Sequence, residues 1–389
     1  MLRPILRPVV RLTLAVAVGA VLSADTAAVR RSGPARATQQ PAAASQRTTV
    51  TPFSELVVRL SEPGGYFNTD NLISNERSYL HVIPELRALS AQAAKGGVYL
   101  GVGPDQNFSY IAHLRPSLAI LVDIRRDNLL LHLLFKALFG EAATRAEYLA
   151  LLTGRAPPGA NSAASITELV RAVDAQAPLS EPQVRALRQR LTQIIRGFGL
   201  LISDQEHGTI DAFHRRFIAA GLSLQFNTTG RAPQPDYPTF RDLLLEEDLT
   251  GAARSFLASE RDFQFVKGMH AKDLIIPVTG DLAGPTALSG VARYMAETRR
   301  QLTAFYTSNV EFYLFRDASY STFIANLGAL PRQPGSLIIR SAFPAGGGSA
   351  LRQPGYNSAQ LTQPIADLLD GFSKGRYRRY DDLLASPRR

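Results

Sequence analysis

Two short apolar runs early in the chain constrain its fold more than any other feature. Val98–Val102 is bounded by glycines, and Leu118–Asp123 is uninterrupted and apolar until its closing aspartate, as strands covered on both faces are. Between them, Asp105 to Leu114 suits a helix that begins after Gly103-Pro104, and a second helix with leucines at helical spacing begins at Asp127. Parallel strands joined by a helix cross over right-handed, so this segment predicts an α/β fold.

The same alternation continues after a helical block. Residues 141–222 are predicted to be almost wholly helical, and we expect them to form an insertion over the sheet. Four strands and one helix are predicted downstream: strands at Asp262–Val266, Leu274–Val278, Gln301–Tyr306 and Ser336–Phe343, and a helix at Thr286–Arg300. Pro277 argues against a central position for its strand. The pattern predicts a doubly wound, mostly parallel, Rossmann-like sheet with a helical insertion.

The N-terminus has the features of an export signal. A basic start is followed by an apolar run from Leu12 to Ala24 and by small residues, with cleavage expected after Ala28 or Ala20. We therefore expect a signal peptide over residues 1–28 and a periplasmic or secreted protein. The alternatives are an uncleaved signal that anchors the chain to a membrane, or a mis-assigned start and a cytoplasmic protein. Residues 29–52 contain no acidic residue and little to bury, which predicts a flexible linker.

The α/β domain is expected to span residues 53–343, leaving residues 344–389 as a Gly/Arg-rich tail. The chain carries a formal net charge of +10, and the tail from Gly371 to Arg389 is itself basic, with Tyr377 and Tyr380 among its arginines. Such a tail either contacts an anionic surface or is simply solvated. We predict no specific nucleic-acid partner.

Composition and motifs exclude several kinds of site. The chain has no cysteine, which excludes disulfides, cysteine-ligated metals and thiol nucleophiles. It contains no serine-hydrolase, P-loop or zincin motif, and its six histidines show no paired metal-ligand spacing. We therefore predict no metal site.

The most informative candidate site follows the first predicted strand. Gly101, Gly103, Pro104 and Asn107 lie in a loop that opens a helix, where glycines let a ligand approach the backbone and the helix start offers free amides. The third glycine of a dinucleotide fingerprint is absent, because its position holds Gln106, so a nicotinamide or flavin site is disfavoured. The alternative is that the two glycines only make a tight turn.

Acidic side chains follow two other predicted strands. Asp123 closes the second strand, where an acid can accept hydrogen bonds from the ribose of an adenosine ligand. The alternative is that Asp123 pairs with Arg125 or Arg126. Asp281 follows a later strand and either faces the ligand or caps the next helix. Ser308-Asn309 holds an equivalent position after another strand.

The polar segment before the first strand is a candidate lid. It contains Glu62, Asp70, Asn71, Asn75 and Glu76, which we expect to fold over the pocket and contact ligand. The alternative is that Asp70 and Asn75 cap turns or a short helix that contains Tyr79 to Leu89.

A second polar cluster precedes a predicted strand. Lys267, His270, Lys272 and Asp273 form either an acid–base site or a solvated loop, and the loop is the simpler interpretation. His132, within a predicted amphipathic helix, is expected to be a buried or boundary residue.

Four segments together resemble an uncharacterised bacterial family with the fold of class I S-adenosylmethionine-dependent methyltransferases. They are Ser61–Phe67, Asp70–Glu76, Gly101–Phe108 and Asp123–Asn128, and the likeness runs from about Phe53 to about Phe343. The resemblance implies S-adenosylmethionine as cofactor, Gly101 and Gly103 in the loop beside its methionine part, and Asp123 as the ribose-binding acid. It implies no catalytic residue and no acceptor. We expect a methyltransferase-like protein, or alternatively an exported α/β protein that binds a small ligand or partner without catalysis.

Overall fold

A computed structural model describes residues 51–92, 97–159, 161–228, 234, 237–343 and 355–385. The predicted signal peptide at 1–28 and nearly all of the predicted linker at 29–52 lie outside the described residues. Within the described part of the chain, no helix is long and apolar enough to span a membrane.

A six-stranded mixed sheet forms the centre of the fold. Its strands lie in the order β3-β2-β1-β4-β5-β6; the first five are parallel and β6 is antiparallel to β5. Their bounds are β1 (Gly97–Gly101), β2 (Leu118–Asp123), β3 (Ile275–Thr279), β4 (Gln301–Ser308), β5 (Arg332–Ala342) and β6 (Ala359–Pro364). The predicted α/β fold with a mostly parallel sheet is confirmed.

The strand order reverses direction between β1 and β4. From β1 the chain adds β2 and β3 on one side, and β4 and β5 follow on the other. The loops that leave β1 and β4 therefore turn toward opposite faces, which opens a crevice at the carboxyl ends of the strands. This is where open α/β sheets bind their ligands.

Fifteen α-helices surround the sheet within the described residues. They are α1 (Phe53–Leu60), α2 (Ile83–Gln92), α3 (Gln106–Leu114), α4 (Arg126–Glu141), α5 (Arg145–Leu152), α6 (Ile166–Asp174), α7 (Glu181–Arg196), α8 (Asp204–Ala220), α9 (Phe240–Leu245), α10 (Glu260–Ala271), α11 (Ala287–Glu297), α12 (Val310–Arg316), α13 (Tyr320–Ala329), α14 (Ile365–Ser373) and α15 (Tyr380–Leu384). Short 3-10 helices lie at Arg77–Val82 and Gly221–Ser223.

The predicted helices around the first two strands and in the insertion are present. The crossover helix α3 joins β1 to β2, and α4 is buried over most of its length. In the insertion, α6, α7 and α8 each begin at a serine, Ser165, Ser180 or Ser203, that forms a capping box with the residue three positions later. These boxes satisfy backbone amides that would otherwise have no partner, which fixes where the helices begin.

One predicted strand is wrong, and one reservation about a strand is explained. Asp262–Val266 lies inside α10, because the Ser259 side chain accepts a hydrogen bond from the Asp262 amide and starts a helix that buries Phe263 and Val266.

Pro277 lies in β3, which among the described strands pairs only with β2. At that edge position its missing amide costs no ladder hydrogen bond.

The C-terminal segment is not merely a tail. Among its described residues, β6 pairs along β5, Tyr377 is buried, and α14 packs against the sheet. Lys374 and Arg376 both pair with Asp370, so part of the basic charge is neutralised within the segment. The prediction failed because β6 has few apolar residues and the Gly-rich run before it suggested an end to the domain.

A buried ion pair joins this segment to the body of the sheet. Arg340 of β5 forms a two-pronged ion pair with Glu311 of α12, and its Nη1 donates to Gln363 Oε1 of β6 at 2.9 Å. Both charged side chains are almost wholly inaccessible to solvent.

We predict that Arg340→Met lowers the free energy of unfolding by about 3–5 kcal/mol, because it leaves Glu311 buried without a cation. Denaturant titration of both proteins measures the difference. Arg190→Met is the control: it removes a solvent-exposed pair with Glu141 and is expected to cost under about 1 kcal/mol. Equal losses in the two variants would contradict the structural role given to the buried pair.

Candidate functional site

A cavity of about 440 Å³ lies at the carboxyl ends of β1 to β4, at the point where the strand order reverses. One wall is formed by the residues after these strands, around Gly103, Asp123, Asp281 and Ser308. The opposite wall comes from the segment before β1 and from α12. Its size and position are those of a small-molecule site in an open α/β sheet.

The loop after β1 is held by the side chain of Asn107. Its amide nitrogen donates to the carbonyls of Val102 and Pro104, both at 2.8 Å, and to that of Gly103 at 3.2 Å. Its oxygen accepts from the Tyr99 hydroxyl at 2.7 Å. Asn107 is thus fully engaged within the protein, and neither it nor Pro104 lines the cavity.

The two glycines of the loop have different roles. Gly103, with φ of +79°, lines the cavity, and its carbonyl accepts a hydrogen bond from the His132 ring at 2.9 Å. Gly101 lies behind the loop, where a Cβ would overlap Asn107 Oδ1. Gly103 can therefore meet a ligand, whereas Gly101 makes room for the side chain that shapes the loop.

Asp123 reaches the cavity but is already paired with Arg125. Asp123 Oδ1 accepts from the Arg125 backbone amide at 2.9 Å and from Nε at 3.2 Å, and Oδ2 accepts from Nη2 at 3.1 Å. A carboxylate has about four lone-pair positions, so one on Oδ2 remains for a further donor. Arg125 also donates to the Thr69 and Asp70 carbonyls, and Arg126 pairs with Glu206 instead.

The segment from Ser61 to Glu76 crosses the carboxyl edge and is tied to it. The Glu62 amide donates to the Thr279 carbonyl at 2.9 Å, and the Gly65 amide donates to the Ile124 carbonyl at 2.8 Å. The Glu62 carboxylate accepts from the amides of Asp281, Thr286 and Ala287 and so caps α11. These bonds tie the segment to the carboxyl edge, where it forms one wall of the cavity.

The five polar residues of that segment divide into two groups. Glu62 caps α11, and Asp70 pairs with Arg216 of α8; neither lines the cavity. Asn71, Asn75 and Glu76 do line it. Asp70 therefore caps no local turn or helix, and contact of Asn71, Asn75 and Glu76 with a ligand stays a prediction.

Glu76 is the most deeply buried carboxyl group of the cavity wall, with 1% of its surface exposed. It accepts hydrogen bonds from the hydroxyls of Tyr306, Ser308 and Ser341 and from the Gln360 amide, the last at 3.2 Å. The donors come from β4, β5 and β6, so Glu76 joins the segment before β1 to the far half of the sheet.

After β3 and β4 the cavity is lined by short polar loops. Asp281 lines it, and its Oδ1 accepts from the Ala283 amide at 2.8 Å, so it shapes its own turn and does not cap α11. Ser308 and Asn309 also line the cavity, and Ser308 has a left-handed backbone, with φ of +52°.

Aromatic rings and a glutamine complete the wall, and sequence reasoning assigned them no site role. Tyr66 is 80% exposed at the rim, and Phe67 packs edge-on against Tyr313 with ring centroids 4.9 Å apart. Gln106 lines the cavity from the first turn of α3. The signal for it in the sequence is the fingerprint position where Gln106 replaces glycine, a replacement that also disfavours a dinucleotide site.

The chain matches the family described as a domain of unknown function, DUF7790, over residues 71–216 and 238–385. These ranges cover most of the chain.

The chain belongs to this family. The matched ranges include Glu76, Gly103, Asp123, Asp281 and Ser308, which line the cavity. They also include β6 and α15, in agreement with the folded C-terminal segment. No curated protein matches the chain.

The second predicted cluster has a structural arrangement away from the cavity. Lys267 donates to the carbonyls of Phe139 and Ala142 at the end of α4. The His270 ring is buried against that of Phe139, at a centroid distance of 4.6 Å, and burial holds its pKa well below the usual range. Among the described residues, no group of three or more acidic or histidine side chains is placed to hold a metal.

We predict that Gly101→Ala lowers the free energy of unfolding by about 1–3 kcal/mol, because the added methyl group overlaps Asn107 Oδ1 and lies 2.8 Å from the Tyr99 hydroxyl. Denaturant midpoints measure the loss. Gly140→Ala is the matched control, because this glycine is exposed in α4 with nothing near its Cβ position. It should gain about 0.5–1 kcal/mol. A stable Gly101→Ala protein would contradict the packing assigned to Asn107.

We predict a pH-dependent gain in stability for Asp105→Asn. Burial raises the pKa of Asp105 from 3.8 to about 7. A carboxyl group whose pKa is raised on folding adds to the stability of the native state, and this contribution is complete below about pH 4. The contribution is lost as the pH rises through 7. The variant should therefore become more stable relative to wild type between pH 5 and pH 8. Melting temperatures at both values test this, with exposed Asp127→Asn as the control that should show no such trend.

Proposed function

We propose that the cavity binds S-adenosylmethionine or a related adenosine ligand and that the protein is methyltransferase-like, with an unknown acceptor. The observation that carries the proposal is the convergence of Gly103, after β1, and Asp123, at the end of β2, on one cavity where the strand order reverses. An acid at the second strand and a bare backbone at the first are what a nucleoside ligand needs there.

The residues present fit such a ligand. Asp123 keeps one acceptor position on Oδ2 for a ribose hydroxyl, and a second direct bond would require Arg125 to turn away. Gly103 lets the ligand approach the backbone, and Gln106 Oε1 is a buried acceptor without a partner. Tyr66 and Phe67 offer aromatic surface at the rim for a base.

The protein would then act mainly by positioning the acceptor beside the methyl donor. S-adenosylmethionine, when bound, supplies a reactive methyl group, and the cavity would hold the acceptor beside it and exclude water. We assign no catalytic residue.

The second candidate is an exported protein that binds a small ligand without catalysis. The Asp123–Arg125 pair favours it, because it occupies most of the acceptor positions that a ribose would use. The signal-like N-terminus also favours it, because S-adenosylmethionine is an intracellular metabolite. Mass spectrometry of the chain recovered from separated cell fractions tests this candidate: a processed, exported form supports it, and an intact cytoplasmic form counts against it.

Calorimetric titration of the full chain with S-adenosylhomocysteine tests the first candidate, with NAD and adenosine titrated for comparison. We predict saturable binding of S-adenosylhomocysteine. We also predict that Asp123→Asn weakens it about 10- to 100-fold, because a charged hydrogen bond to ribose is lost.

The control is Asp127→Asn, which removes an exposed carboxylate from the first turn of α4 and should leave binding unchanged. Thermal unfolding of each variant establishes that the protein remains folded. Absence of binding by the folded wild type, or equal affinities for wild type and Asp123→Asn, would refute the proposal.

A further inference from the structure

The Glu76 end of the cavity carries a buried negative group with no cation beside it. All of the hydrogen-bond donors to Glu76 are neutral, and none of the ion pairs among the described residues includes it. The neighbouring arginines are engaged elsewhere: Arg77 pairs with Glu246, and Arg340 pairs with Glu311. A carboxylate buried without a counter-charge is costly unless a ligand compensates it.

A buried acceptor that has no hydrogen-bond partner lies next to Glu76. The Tyr306 hydroxyl has one hydrogen, which it donates to Glu76, so its oxygen accepts from Gln106 Nε2 at 3.3 Å. This bond fixes the Gln106 amide and leaves Oε1 buried without a partner. Gln106 is only 6% exposed, and Gln106 and Glu76 both line the cavity.

Gln106 Oε1 lacks a hydrogen-bond donor. Glu76 accepts three hydrogen bonds at Oε2 and one at Oε1, so it keeps one acceptor position on Oε1 and lacks a positive charge beside it. A primary ammonium group has three N–H donors, one positive charge and no acceptor, so it can satisfy Glu76 and Gln106 together. A phosphate or carboxylate would meet only repulsion from Glu76.

We propose that Glu76 and Gln106 form a subsite for the primary ammonium group of a molecule bound in the cavity. The assignment of a source to this ammonium group rests on the proposed function. It belongs either to the amino-acid part of an adenosyl ligand or to a separate amine substrate. Ser308, which donates to Glu76, is the last residue of β4. In the sheet, β4 lies two strand spacings, or about 10 Å, from β2, which ends at Asp123. A nucleoside held at Asp123 therefore leaves this end of the cavity for an amine.

Glu76→Gln removes the charge and can keep every hydrogen bond. Its Oε1 atom can accept from Tyr306, Ser341 and Gln360, and its Nε2 can donate to the Ser308 hydroxyl. The control is Asp317→Asn, which removes one negative charge from a cavity residue whose side chain is 56% exposed. Thermal unfolding of both variants shows whether they remain folded.

Calorimetry of the full chain with three probes tests the subsite. S-adenosylhomocysteine carries the ammonium on the adenosine ligand, 5′-methylthioadenosine lacks it, and putrescine supplies amines alone. If the ammonium belongs to the adenosine ligand, Glu76→Gln should weaken S-adenosylhomocysteine about 10-fold or more and change 5′-methylthioadenosine less than about 2-fold. If it belongs to a separate substrate, the variant should lose putrescine binding instead. Asp317→Asn should change neither by more than about 2-fold.

The outcomes separate this inference from the proposed function. Putrescine binding that depends on Glu76, without binding of S-adenosylhomocysteine, supports the ammonium subsite and refutes the adenosine ligand. Binding of S-adenosylhomocysteine that depends on Asp123 but not on Glu76, without putrescine binding, refutes the subsite alone. Equal affinities of wild type and Glu76→Gln for every probe that binds, an equal effect of Asp317→Asn, or no binding of either amine-bearing probe also overturns the inference.

Discussion

The hydrogen bonds of the Asn107 side chain determine the shape of the site. A single buried amide ties three consecutive carbonyls of the loop after β1, and Tyr99 fixes its oxygen. The loop therefore turns directly from the central strand into α3, with Gly103 facing the cavity and Gly101 giving the amide its space. Because the backbone at the reversal of strand order is fixed in this way, little conformational entropy would be lost in ordering this loop when a ligand binds.

Much of the fold could be predicted from the sequence, because long amphipathic helices and uninterrupted apolar strands leave clear patterns. Asp262–Val266 was misassigned because the Ser259 cap outweighs the short apolar run. The strand β6 was missed because its pairing with β5, rather than its own composition, makes it a strand. A strand stabilised mainly by pairing with its neighbour leaves little signal in its own residues.

The site was predictable only in part. The positions of Gly103, Asp123, Asp281 and Ser308 follow from where the strands end. Which side chains face the cavity depends on tertiary partners: Glu62 and Glu76 belong to one short segment, yet Glu62 caps α11 and Glu76 enters the cavity wall. The sequence predicts Arg125 as one possible partner of Asp123. It does not predict that Arg125 also donates hydrogen bonds to two carbonyls of the segment before β1.

The pairing of β1 with β4 has a consequence for how the protein assembles. Gly97–Gly101 lies beside Gln301–Tyr306, and the helical insertion and β2 and β3 are synthesised between them. The centre of the sheet thus closes over one of the longest sequence separations in the domain, a slow kind of contact to form. Two donors to Glu76, Tyr306 and Ser308, lie on β4 itself, and the other two, Ser341 and Gln360, lie on strands made later still. During synthesis, one edge of β1 therefore stays unpaired until β4 has been made, although Gly103 and Asp123 are already present in the chain.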